Sequence, residues 1–156
     1  MSESDLRVPT ISLPAEVVFA DGSNLRGNLF LPAASALHGG PTSPREHLNA
    51  AEEFLAFLPD EVSVPVILNK AELLALSFEA AALPAEDDPA FFERKVVLEC
   101  GGRRIEGALS IDAMQGQSRV LDYLNRADRF LPVRDESRDY LVNRLRISRV
   151  IEVRDA

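Results

Sequence analysis

The stretch VFADGSNLRGNLF, Val18 to Phe30, has a counterpart in VLECGGRRIEGALS, Val97 to Ser110. In the first, EVVFA (Glu16–Ala20) is rich in β-formers and DGSN (Asp21–Asn24) is a turn cluster. LRGNLFL then alternates Leu25, Gly27, Leu29 and Leu31 against Arg26, Asn28 and Phe30. Period-two alternation either side of a Gly-containing turn predicts a hairpin with one buried face. In the second, KVVLE (Lys95–Glu99) leads through CGGR into RIEGALSI, where Ile105, Gly107, Leu109 and Ile111 alternate against Arg104, Glu106, Ala108 and Ser110. Gly27 and Gly107 occupy the same place in the second strand. A glycine inside a strand marks a sharp bend or the close approach of another backbone, and a small barrel needs such a bend to close.

Both copies then leave the sheet. After a Pro/Gly/Ala/Ser stretch, SPREHLNAAEEFLAF predicts a helix over 43–57. Ser43 is its cap, Pro44 its first residue, Glu46 the far side of a capping box, and Leu48, Ala51, Leu55 and Leu58 its apolar face. The second copy offers SRVLDYLNR, about two turns, with Ser118 as cap and Val120, Leu121 and Leu124 as the buried stripe. Beyond the helices, FLP recurs at 57–59 and 130–132. VILNK (Val66–Lys70) answers to YLVNR (Tyr140–Arg144), and each copy closes with a strand, LLALSF and RISRVIEV. Each unit reads strand, strand, helix, strand, strand, strand. The expected organisation is an N-terminal tail over 1–15, a first β-barrel repeat over 16–78, a linker rich in Ala, Pro and acid over 79–93, and a second repeat over 94–154.

Five short strands with a glycine bend in the second resemble the Sm-like barrel of Sm, LSm and Hfq proteins. VVLECGGRRIEGALSID resembles the first Sm motif and YLVNRLRISRVIEV the second; SH3-like barrels share much of this alternation. The resemblance implies a mainly β fold with short helices: two tandem five-stranded Sm-like or SH3-like small barrels, touching through strand edges. It also implies an RNA-binding dipeptide, which falls at Asn143 and Arg144 and, in the first copy, at Asn69 and Lys70.

The 156 residues are 46% apolar and 27% charged, a globular and not a disordered composition. Apolar runs are far shorter than the ~20 residues of a membrane span, and the acidic start of the chain lacks the pattern of a secretory signal, so a cytoplasmic protein without membrane contact is expected. A net charge of −8 repels phosphate backbones on average. The charge is uneven: residues 1–90 carry 4 bases and 14 acids, residues 91–156 carry 13 and 11, so that the halves attract each other.

No motif identifies a reaction. Two histidines, His38 and His47, and the single Cys100 do not make a metal site, no nucleophile elbow aims a serine, and neither GG pair leads into a phosphate loop. The histidines read as surface residues, the glycine pairs as turns, Cys100 as a small packing residue. Within AEDDPAFFERK, Phe91 and Phe92 read as a cover over the barrel's open end. The basic residues Arg134, Arg138, Arg144, Arg146 and Arg149 form the densest patch, with Arg144 and Arg146 on one strand face and Arg149 on the other. They serve either to bind an acidic surface or to pair with Glu52, Glu53 and Glu72. The function expected is a non-enzymatic interaction or scaffolding module, without cofactor, which takes a protein partner or self-associates. Its candidate surface is Asn69, Lys70, Arg134, Arg138, Asn143, Arg144, Arg146 and Arg149. The alternative is nucleic-acid binding through the basic face of the second repeat.

Overall fold

The computed structural model describes residues 10–35, 39–79, 91–112 and 119–154. The first half runs β1 (Thr10–Phe19), β2 (Asn24–Pro32), α1 (Pro44–Asn49), β3 (Phe54–Pro59), β4 (Val66–Asn69) and β5 (Leu73–Glu79). The second runs β6 (Phe91–Cys100), β7 (Arg103–Asp112), α2 (Val120–Arg126), β8 (Phe130–Arg134), β9 (Arg138–Asn143) and β10 (Arg149–Glu152). In each half a helix follows the second strand, and a one-turn 3-10 segment, Lys70–Glu72 or Arg144–Arg146, separates the last two strands. Strand β1 begins inside the expected N-terminal tail and β6 inside the expected linker. Residues 80–90 of that linker, Ser118 and His38 lie outside the described residues.

The two halves agree ladder by ladder. Val17 faces Leu25 between β1 and β2 as Leu98 faces Ile105 between β6 and β7. Asn28 faces Leu58 between β2 and β3 as Ala108 faces Arg134 between β7 and β8. Phe54 faces Asn69 between β3 and β4 as Phe130 faces Asn143 between β8 and β9. Val17 faces Leu76 between β1 and β5 as Leu98 faces Val150 between β6 and β10. Phe54 is therefore the counterpart of Phe130, which corrects the matching of the two FLP tripeptides: FLA at 54–56 answers to FLP at 130–132. The β3–β4 connection is longer than the β8–β9 one, and identical letters three residues along the strand had concealed the difference.

The glycines hold across the two halves. A Cβ on Gly27 would run into the Leu58 carbonyl, and one on Gly107 would lie 2.6 Å from the Arg134 carbonyl oxygen. Leu58 and Arg134 are themselves counterparts, so the same backbone crossing is built twice. The hairpin turns use the left-handed conformation that glycine adopts without strain, at Gly22 in the first half and at Gly101 and Gly102 in the second.

All ten strands join one antiparallel sheet in the order β10-β6-β7-β8-β9-β5-β1-β2-β3-β4. Among the described residues the chain is thus mainly β with two short helices, and its strands form one continuous sheet that is not closed. The link is the β5·β9 pairing, from Ala75↔Val142 to Glu79↔Arg138. Pairing satisfies backbone groups along two edges that would otherwise stay bare. It also explains why β5 is buried from Leu73 through Phe78, whereas its counterpart β10 is mostly exposed.

Two apolar cores result, and each borrows from the other half. Phe130 and Leu141 pack into the core of Val17, Leu29, Leu31 and Phe57, while Val18, Leu74 and Ala75 pack into that of Leu98, Leu109, Ile111 and Val133. Each fully buried side chain of this kind stabilises by roughly 1.5–3 kcal/mol, so the exchange makes neither half complete alone.

Both helical expectations need correction. Ser43 does cap α1, its Oγ accepting from the Glu46 amide at 3.1 Å, but the helix ends at Asn49, so of the predicted apolar face only Leu48 is helical and buried. Leu55 and Leu58 belong to β3, where Leu55 and Phe57 turn inward at period two. That short alternation had been masked by coincident helical spacing. In α2 the buried residues are Val120 and Tyr123; Leu121 is exposed. RISRVIEV is strand only from Arg149 to Glu152, since Asn143 diverts the chain into a 3-10 turn by accepting from the Leu145 amide. Among the described residues no helix is long and apolar enough to cross a membrane.

Candidate functional site

The asparagine and basic residue at the end of β4 and of β9 do the same structural work in both halves. Asn69 Oδ1 accepts from the Ala71 amide at 3.0 Å and Asn143 Oδ1 from the Leu145 amide at 3.1 Å, each opening a 3-10 turn. Lys70, only 1% exposed, donates from Nζ to the carbonyls of His47 and Ala50, both at 3.2 Å. They are carbonyls of the last turn and of the C-cap of α1, where intrahelical bonding runs out; the His47 carbonyl also accepts from the Ala50 amide at 3.3 Å. In the second half Arg144 Nη1 reaches the Leu124 carbonyl of α2 at 3.2 Å. Burial holds the Lys70 ammonium below its ordinary pKa, with the Glu52 carboxylate opposing that shift and the Arg129 guanidinium adding to it. Asn143 is buried, and its Nδ2 donates to the Leu73 carbonyl at 2.9 Å. Four of the eight residues expected on an interaction surface therefore spend their polar groups inside the fold.

The arginines are not gathered into one patch. Arg134 lines a cleft of about 410 Å³ with Arg45, Arg126, Glu93, Asp112 and Asp128, where the charges balance. Arg138 donates to Ser77 Oγ at 2.7 Å, and Arg149 lies 3.7 Å from Glu99. Arg144 and Arg146 sit on the 3-10 turn and not on a strand face as expected, and Arg146 Nε donates to the Ala71 carbonyl at 3.1 Å. Glu53 does pair across the halves, but with Arg129 at 3.0 Å; Arg45 and Asp128 add a second crossing pair at 3.8 Å. A seam cleft of about 290 Å³ collects Arg26, Arg103, Arg104 and Arg138 beside Glu16. Arg26 is bound there to Glu16 at 2.8 Å. Residues so far apart in sequence gave no signal of this grouping.

No three His, Cys, Asp or Glu residues come together as a metal site among the described residues. Cys100 is buried, which pushes its thiol pKa up to about 11, consistent with a packing role. His47 is half-buried and not a surface histidine: its Nε2 is enclosed without a partner, and desolvation followed by the Lys70 charge lowers its pKa. Gly39, Gly101 and Gly102 all have positive φ, as turn residues do. Phe92 packs partly against the second core, with the Arg94 guanidinium 4.4 Å from its ring centre.

What remains open is the sheet itself. Among the described residues its terminal strands β4 and β10 each have one neighbour, β3 and β6. Among the described residues, the exposed large apolar side chains include Val66 and Ile67 on β4 with Val62 and Val64 in the loop before it, Phe54 on the neighbouring β3, and Ile151 on β10 with Val153 just after it. Ile67 is 75% exposed and Val64 69%. Soluble proteins ordinarily blunt such edges with charge, bulges or cover. Comparison with protein-family models, with curated proteins and with solved structures finds no match to this chain.

Proposed function

We propose that this chain is a non-catalytic interaction or scaffolding module, a duplicated Sm-like or SH3-like five-strand unit that engages protein through the outer edges of β4 and β10. The observation that carries the reading is that the terminal strands of the described sheet, β4 and β10, expose Val66, Ile67 and Ile151, with Val64 and Val153 exposed in the chain directly before β4 and after β10. An extended segment laid along such an edge gains main-chain hydrogen bonds and apolar contacts together. The repeated strand order β5-β1-β2-β3-β4 and the paired backbone crossings at Gly27 and Gly107 support the small-barrel part of the proposal.

The test is selection of extended peptides from a displayed library, followed by hydrogen exchange on the complexes. Protection of amides in β4 or β10, lost in Ile67→Lys or Val153→Lys, supports the module. Tight, salt-sensitive binding of labelled single-stranded RNA that is lost in Arg144→Ala, with no peptide protecting either edge, overturns it in favour of nucleic-acid binding.

A further inference from the structure

We infer that the seam cleft is a binding site for a small phosphate monoester, whose phosphate is held by Arg26, Arg103 and Arg138 and whose carbon body lies on an apolar floor. None of these residues lies on β4 or β10, so the site stands or falls apart from the edge-binding reading. The cleft exists because β5 joins β9. Arg26 faces Glu16, Glu16 faces Ser77 and Ser77 faces Tyr140, which makes one row of side chains across β2, β1, β5 and β9. Residues directly opposed in a ladder share a face of the sheet. Arg138, two residues before Tyr140 on β9, falls on that same face. The second half brings Arg103, at the start of β7, to the same cleft.

Among the described residues Glu16 is the one acid that lines the cleft, and Arg26 already holds it at 2.8 Å. Arg103 is exposed and has neither a hydrogen bond nor an ion pair there. Arg138 gives one N–H to Ser77 Oγ at 2.7 Å and keeps others, since a guanidinium has several to donate. Ser77 is only 3% exposed, and while its oxygen accepts from Arg138, its own hydroxyl proton has no acceptor among the described residues. Tyr140 adds a second hydroxyl. Burial raises its pKa first, with the Asp135 and Glu16 charges adding to the shift and those of Arg138 and Arg103 opposing it. The phenol therefore keeps its proton at neutral pH and can donate it. Like charges gathered in a cleft repel one another, and an anion relieves that repulsion. Guanidiniums carried on three different strands, β2, β7 and β9, match the terminal oxygens of a tetrahedral phosphate better than the flat face of one carboxylate. Val18, Leu74, Ala75 and Ile105 form the floor and belong to the second core. A cleft of about 290 Å³ is the size of a small-molecule site and not of a polynucleotide groove.

Isothermal titration calorimetry of the full chain with phenyl phosphate, with phthalate and with a short phosphotyrosine peptide makes the test. Phenyl phosphate is expected to bind saturably, one per chain, and more tightly than phthalate. Arg103→Ala should weaken it about tenfold or more, as loss of a charge-assisted hydrogen bond does. Because Arg103 is exposed and unbonded, that variant keeps the unliganded Tm of the parent. Arg154→Ala, an exposed arginine outside the cleft, should bind as the parent does. A phosphopeptide that binds about tenfold more tightly than phenyl phosphate, while its unphosphorylated form is silent, assigns the phosphate to a modified protein. Equal or weaker binding of the phosphopeptide assigns it to a free small molecule. The inference is overturned if neither phosphate ligand saturates, if phthalate binds as well, or if binding survives Arg103→Ala. Single-stranded RNA that displaces phenyl phosphate and binds far more tightly also overturns it, by making the cleft part of a nucleic-acid surface. Every one of these results leaves the peptide selection on β4 and β10 to be judged on its own.

Discussion

Asn49 brackets Phe130: its Nδ2 donates to the Phe130 carbonyl at 2.9 Å while its Oδ1 accepts from the Phe130 amide at 2.8 Å. The two residues come from opposite halves, and Phe130 is fully buried in the core of the first. One side chain at the end of α1 thereby satisfies both backbone polar groups at the start of β8. Asn49→Ala leaves them without these partners in a part-buried site, at a cost of about 2 kcal/mol. Urea denaturation should show a lower midpoint with an unchanged slope and a single transition, because each core contains side chains of the other half. Two separate transitions would contradict that coupling.

Gly27→Ala and Gly107→Ala both place a methyl group against a backbone carbonyl, and a carbonyl fixed in a ladder cannot swing aside as a flexible side chain does. Both substitutions should destabilise, by roughly 1–3 kcal/mol. The larger loss belongs to Gly27, where the Leu58 carbonyl is nearer than the Arg134 carbonyl is to Gly107. Thermal melts of the two variants side by side check the order.

His47 gives a pH dependence of known sign. Its folded pKa is lowered from 6.5 by desolvation first and by the Lys70 charge second, so below pH 6.5 the unfolded chain takes up the proton more readily than the folded one. Stability should fall as the pH drops from 6.5 towards the depressed folded value. His47→Gln removes that contribution, and Tm measured against pH for parent and variant should differ in slope only within this window.

Cys100 should be nearly inert to a thiol reagent in the native protein at pH 8. Its pKa of about 11 leaves little thiolate and its burial leaves no approach. Labelling in denaturant should be rapid. Rapid labelling of the native protein would show that the β6–β7 turn opens.

The duplicated order of strands, the helix after each second strand, the Ser43 cap and the turn glycines were all legible in the residues, because each depends on neighbours in sequence: alternation at period two, a capping side chain, a left-handed turn. Gly27 and Gly107 pointed to the backbone crossing for the same reason. The extent of α1 was misread, since Leu48, Ala51, Leu55 and Leu58 satisfy a helical spacing while Phe54–Pro59 satisfies a strand alternation equally well. Only pairing with β2 and β4 selects between them. The internal contacts of Lys70 and Arg144 were not legible on the same grounds: both donate to carbonyls at or near helix ends 20 or more residues away in the chain.

Local pattern thus settled what each segment is and that the set occurs twice. The tertiary structure decided that β5 joins β9 and that β4 and β10 are left at the ends. Strand pairing across the middle of the chain depends on which edges meet once both halves have curled. That choice is made by shared core residues and long-range hydrogen bonds such as Asn143 to Leu73, which no window of sequence contains.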